Sequence, residues 1–245
     1  MASRFWVKPG AARFYVYDAA VTRRSVPVYL ELGSRRVFAG ALEWPGWERS
    51  GRDADAALQT LVDYLPRYRK AMGRAAHELQ TPGSVRDLEV TERVTGNATT
   101  DFGAPGVPPK ADERPLDDDE LARLLRLEHA SWRALDRAAN RAAGKRLAKG
   151  PRGGGRELDA IVRHVLDADA GYLHALGISY PGEGRLRRTD AGALRKAINA
   201  ALRDTPRDGP PSRGPRGGKR WTVRYFVRRS AWHALDHAWE IEDRA

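Results

Sequence analysis

Cysteine is absent from the 245 residues, which excludes disulfides, thiolate metal ligands and a cysteine nucleophile. Any metal ion must therefore be held by His, Asp or Glu. No apolar run approaches the roughly 20 residues needed to cross a bilayer. Residues 1–20 interleave Arg4, Lys8 and Arg13 with aromatics, where a secretory signal would carry an apolar stretch and a small-residue cleavage site. The sequence therefore predicts a cytoplasmic protein with no membrane partner. Also missing are a nucleophile-elbow serine, a Walker loop and a dinucleotide glycine fingerprint. Gly153-Gly154-Gly155 lacks the spacing such phosphate loops need.

What is present is charge. Hydrophobic residues make up 41% and charged ones 31% of the chain, enough apolar material for a core beneath a charge-dense surface. The net charge of +11 and pI near 10.2 favour a polyanionic or small anionic partner. The excess gathers in two stretches. Arg141, Lys145, Arg146, Lys149, Arg152 and Arg156 form one; Arg213, Arg216, Lys219, Arg220, Arg224, Arg228 and Arg229 form the other. Both surround Gly-rich loops and read as solvated charge and helix flanks rather than a nucleic-acid groove, so nucleic-acid binding is expected to be weak.

The length suits two small domains, and the pattern predicts an α+β chain. Val26–Leu32 reads as a strand, Gly33-Ser34 as a turn and 37–43 as an antiparallel partner. Asp53 is placed to cap a helix through Ala57, Leu58, Leu61, Val62 and Leu65, which Pro66 should kink or interrupt. A further strand is predicted at 85–94. The stretch 96–115 is rich in Gly, Pro, Asn, Asp and Thr and reads as a linker between a domain at 26–95 and one at 116–245, with 1–25 as an extension. The second part carries four amphipathic helical patterns, at 116–143, 156–176, 190–203 and 222–243, with Thr189 as the expected cap of the third. Four such helices pack most economically as a bundle.

The run Val28-Tyr29-Leu30-Glu31, then 37–47 (VFAGALEWPGW), Ser50-Gly51 and Ala56-Ala57-Leu58, resembles HicB-like antitoxin domains over about 50 residues. The resemblance implies a partial double-stranded-RNA-binding-like fold that serves protein partnership more than catalysis. Read from the residues alone, Trp44, Pro45 and Trp47 cap the edge of a small core. Glu43 and Glu48 flank the turn and would repel phosphate.

In the last helix His233 and His237 stand four apart, which places both imidazoles on one face, as two ligands of one metal require. Phe226, Ser230 and Ile241 continue that face, and His164 on the second helix shares an inward row with Ile161 and Ala168. Residues 156–177 (RELDAIVRHVLDADAGYLHALG) and 224–244 (RYFVRRSAWHALDHAWEIEDR) are similar to the DinB/YfiT-like superfamily, which includes thiol-dependent transferases and mycothiol-dependent maleylpyruvate isomerases. The similarity spans 116–245. It implies a DinB-like four-helix bundle with a divalent metal held by one residue of the second helix and two, four apart, of the last; His164, His233 and His237 match these positions.

Three neutral imidazoles leave coordination positions open, and a metal there lowers the pKa of a bound water or thiol. Zn²⁺, Ni²⁺ or a similar divalent ion is the implied cofactor. Asp167, Asp169 and Asp236 are the expected acceptors for the outer imidazole nitrogens, Asp169 ahead of Asp236. Arg224 or Arg228 is expected to steer an anionic substrate. His129 reads as an ordinary partly buried histidine, His77 and His174 as surface residues, and Trp232 and Trp239 as core aromatics. Two functions stand side by side: a metal-dependent, thiol-using transferase or isomerase, and a non-catalytic regulatory module of HicB-like antitoxin type with metal-free histidines paired to carboxylates. The partners to consider are a low-molecular-weight thiol, a small anionic substrate, weakly held nucleic acid and a second copy of the chain.

Overall fold

The computed structural model describes residues 25–149, 155–182, 184–208, 213 and 218–245. The expected extension up to residue 24 and the basic residues Arg152 and Arg216 lie outside the described residues. The fold is α+β, a small mixed sheet followed by a helical half. Strands β1 (Val26–Leu32), β2 (Val37–Ala41) and β3 (Glu48–Gly51) form an antiparallel meander in which Val28 faces Ala41 and Phe38 faces Ser50. β2 stops two residues before its expected end because the chain folds back there: Trp44 N–H donates to Ala41 O at 3.3 Å and Trp47 N–H to Trp44 O at 3.0 Å.

Helix α1 (Ala54–Asp63) starts where the Asp53 carboxylate accepts the Ala56 N–H at 2.8 Å. Pro66 acts as expected. α1 ends before it and α2 (Leu65–Met72) restarts with the proline in its first turn, where a missing N–H costs nothing. These helices supply the crossover that lets β4 (Leu88–Thr95) run parallel to β1, giving the order β3-β2-β1-β4. β4 begins later than expected because Ser84 caps a 3-10 turn at Val85–Asp87.

The 96–115 stretch, expected as a linker, carries a short helix α3 (Ala98–Phe102) and a 3-10 turn at Lys110–Glu113. It is tied to β1, since the Glu31 carboxylate accepts the Thr100 hydroxyl and the N–H groups of Gly106 and Val107. The helical half consists of α4 (Asp118–Ala142), α5 (Leu158–Leu176), α6 (Ala191–Asp204) and α7 (Val223–Arg244). α4 pairs along α7, and α5 packs on both α6 and α7. Thr189 does not cap α6. A 3-10 turn precedes it, closed by the Asp190 carboxylate accepting the Arg187 N–H at 2.7 Å.

The two halves share one continuous core. Gly46, at φ +88°, lets the turn after β2 lie against α7, where a Cβ would come within 2.8 Å of Leu235 Cδ1. Phe38 meets Trp232 edge-on with ring centroids 6.0 Å apart. At the centre, Arg228 of α7 is only 2% exposed. Its guanidinium donates to both oxygens of Asp112 at 2.7 and 2.8 Å, and to Ala41 O and Leu42 O at 2.8 and 2.7 Å. Arg224 is held likewise, by the Glu120 carboxylate and Pro115 O. Neither arginine is free to steer a substrate, which corrects the expectation drawn from their position: every strong donor direction is spent on protein oxygens.

Removing Asp112 would take away the only carboxylate hydrogen-bonded to the buried Arg228 among the described residues, leaving two carbonyls and Glu48 at 3.5 Å. Asp112→Ala is expected to cost about 3–5 kcal/mol in urea unfolding, with sheet and helices lost in a single transition; separate transitions for the two halves would show that this tie does not couple them.

Candidate metal centre

His164 extends from the middle of α5, and His233 and His237 from consecutive turns of α7. Nitrogen atoms of the three rings lie within 4.8 Å of one another, so the group could hold a metal ion. Ring centroids are separated by 4.7 to 5.1 Å. His164 Nε2 and His233 Nε2 approach to 3.3 Å. Two nitrogens each bound at about 2.0–2.1 Å to a tetrahedral ion stand about 3.3 Å apart, so this separation fits a shared ion.

Burial favours the neutral form of two of these imidazoles, His164 and His233. Burial depresses the His233 pKa strongly, with the neighbouring His237 and Arg229 adding to it; burial and His237 depress that of His164. Neutral imidazole is the form that ligates. His237 Nδ1 donates to Glu240 Oε2 at 2.7 Å, which leaves Nε2 as its free nitrogen. Glu240 is held ionised, its pKa lowered first by that hydrogen bond and further by Arg244, whose Nη1 lies 2.5 Å from its other oxygen. His233 Nδ1 is buried with no partner among the described residues.

None of the three expected acceptors takes a proton from these rings. Asp167 Oδ1 accepts the Leu186 N–H at 3.2 Å, and Asp236 pairs with Arg49 at 3.0 Å. Asp169 is fully committed elsewhere: Ser230 Oγ lies 2.8 Å from Asp169 Oδ1 and 2.5 Å from Glu128 Oε1, all three residues being buried. A serine hydroxyl has one hydrogen for these two contacts, so one carboxyl must itself carry a proton. Burial raises both, Glu128 well above its ordinary range and Asp169 to about 7. Glu240 went unremarked in the sequence reading although it sits three residues after His237, within reach on the same helix.

His129 bonds Asn199 through Nε2 at 2.8 Å and lies beside Trp132, away from the triad, while His77 and His174 are exposed. Trp232 and Trp239 are buried, as expected of core aromatics. Arg229, read from the sequence only as part of a solvated basic stretch, lies against aromatic rings near the histidines. Its guanidinium stands 4.7 Å from the Trp232 ring and 5.4 Å from Tyr172, whose own ring is 6.1 Å from His233. Nη1 of Arg229 is buried without an acceptor.

No family model, curated protein or solved structure matches the chain. No helix among the described residues is long and apolar enough to cross a membrane.

The buried acids generate a pH dependence. With the folded pKa of Asp169 near 7 and the unfolded one about 4, the folded state binds more protons between those values, and stability falls as pH rises through that window. The depressed histidines oppose this below about pH 6.5, so the comparison is with a variant. Asp169→Asn is expected to gain stability relative to wild type between pH 5 and 8, measured by urea unfolding across pH. An Asn-to-wild-type difference that stays flat with pH would mean that Asp169 is ionised throughout.

Proposed function

We propose that this chain is a divalent-metal protein of DinB-like type, with His164, His233 and His237 as the ligands, acting on a small anionic substrate in thiol-dependent transfer or isomerisation. The observation that carries the reading is the convergence of three imidazoles from two helices, one of them oriented by Glu240. Three imidazoles suit Zn²⁺, Ni²⁺ and related ions. Three protein ligands leave positions open, as catalytic rather than structural sites do. When bound, such an ion supplies Lewis-acid chemistry and lowers the pKa of a water or thiol.

The chain's own residues define the rest. Glu240 fixes the tautomer and orientation of His237. Arg229, caged between Tyr172 and Trp232 and lacking a carboxylate, replaces Arg224 and Arg228 as the group that anchors the substrate's negative charge. The aromatic walls exclude water there and strengthen the ion pair. The sheet, in this reading, is the HicB-like part and serves as scaffold: its three antiparallel strands are followed directly by an Ala-rich helix.

Elemental analysis after reconstitution is expected to find about one divalent ion per chain, lost in His233→Ala and His237→Ala and kept in His129→Ala. Glu240→Gln should weaken metal affinity about 10- to 100-fold. Equal metal in wild type and His233→Ala overturns the reading. In metal-loaded protein, Arg229→Met is expected to weaken binding of a dicarboxylate probe such as succinate about tenfold, read by calorimetry, with metal content unchanged. Unaltered succinate affinity would remove Arg229 from the site.

A further inference from the structure

We propose that a groove between α4 and the end of α2 binds a polyphosphorylated small molecule, at a site separate from the histidine cluster. The groove encloses about 510 Å³ and is lined chiefly by Trp44, Arg74, Arg123, Arg126, His129 and Arg133. That volume falls among small-molecule sites, roughly 300–1,000 Å³. Arg123, Arg126 and Arg133 follow one another at spacings of three and seven, which brings them to one face of α4 along about 15 Å of helix. Arg74 faces them from the 3-10 turn Gly73–Ala76, which packs on α4.

Two arginines elsewhere in the molecule show what a paired guanidinium looks like here. Arg195 takes both oxygens of Asp136 at 2.7 and 2.9 Å, and Arg207 takes Asp118 at 2.7 Å. Three of the groove's four arginines, Arg74, Arg126 and Arg133, have no such acid partner among the described residues. The groove's carboxylate, Glu78, stands 3.5 Å from His77. Arg126 and Arg133 are exposed and find no acceptor among the described residues. Arg123 is fixed in place, donating through Nη2 to Glu43 O and lying 3.7 Å from the Glu43 carboxylate, with its guanidinium 5.0 Å over the Trp44 ring; its Nη1 is buried without a partner among the described residues.

The charges of Arg74, Arg126 and Arg133 around one cavity repel each other, and an occupant with several negative charges relieves that repulsion. Guanidinium forks match phosphate oxygens in pairs, and the row of arginines suits a chain of phosphates better than one carboxylate. Nucleic acid fits less well: the Arg123 guanidinium covers a face of Trp44 that a base would need for stacking. Four arginines also fall short of the roughly six to ten phosphate contacts of a nucleic-acid interface.

The probe is inorganic tripolyphosphate, titrated into the full chain by calorimetry at about 50 mM salt. Binding is expected to weaken about tenfold or more in Arg126→Gln/Arg133→Gln, with the circular dichroism and metal content of wild type. Arg126→Lys/Arg133→Lys, which keeps the charge, is expected to lose less. His233→Ala should bind as tightly as wild type, because tripolyphosphate coordinated to an ion at the histidines would be lost with that residue. Equal affinity in wild type and the Gln pair overturns the proposal. So does an oligonucleotide that binds more tightly than tripolyphosphate and depends on the same arginines, which would make the face a nucleic-acid surface.

Discussion

The arrangement of the molecule depends on one buried cation. Arg228 lies at the point where α7, the turn after β2 and the 96–115 connection meet, and from α7 it donates to the other two. A charge this deeply buried is tolerable only when each donor finds an oxygen, so the guanidinium fixes three chain segments relative to one another. Burial also lifts nearby Glu48 to about 7, with Arg228 pulling the other way from 3.5 Å. Tyr29 completes the cluster by donating to Glu48 at 3.3 Å. Beyond this point α7 has little freedom to rotate or slide, and its next two turns carry His233 and His237.

That makes α7 a helix with duties on every side. Arg224 and Arg228 face the sheet and the connection, Ser230 meets acids from α4 and α5, His233 and His237 meet His164, and Trp239 lies under Tyr64 at 5.4 Å. A helix buried nearly all round cannot present the half-polar face of a surface helix. Its charged residues therefore had to acquire specific partners: Arg228 from Asp112, Arg224 from Glu120.

This is also why the sequence was legible in some places and not in others. The limits of α4, α5, α6 and α7 were readable to within two residues, and Asp53 and Pro66 marked the start and the break of the first helix because caps and breakers act locally, whereas α3 fell inside the stretch read as a linker. The three histidines were readable because spacing on one helix decides which rings share a face. The roles of Arg224 and Arg228 were not, since a basic cluster beside a Gly-rich loop ordinarily faces water and only the docking of the sheet buries it. Asp169 was misjudged for a related reason. Its helix phase permits contact with either a histidine or Ser230, and the choice belongs to the rotation of α5 against α7. The groove on α4 escaped notice because its arginines are spread through an ordinary amphipathic helix and are completed by Arg74, which lies about 50 residues earlier.

The distribution of unsatisfied groups separates scaffold from site. Around Arg228 every guanidinium nitrogen is paired, as a structural tie requires, and Glu48 Oε1 is the buried atom of that cluster left without a hydrogen bond. Around the triad more atoms go unpaired: Arg229 Nη1, Trp232 Nε1 and His233 Nδ1 are buried without partners within five residues of α7, and Glu128 Oε2 and Trp132 Nε1 join them from α4. Leaving such donors unpaired costs free energy each time, and a fold that supplies carboxylates so freely elsewhere could have paired them. Three of these atoms, on Arg229, Trp232 and His233, lie on or beside the converging imidazoles, where an added hydrogen-bond partner would satisfy them.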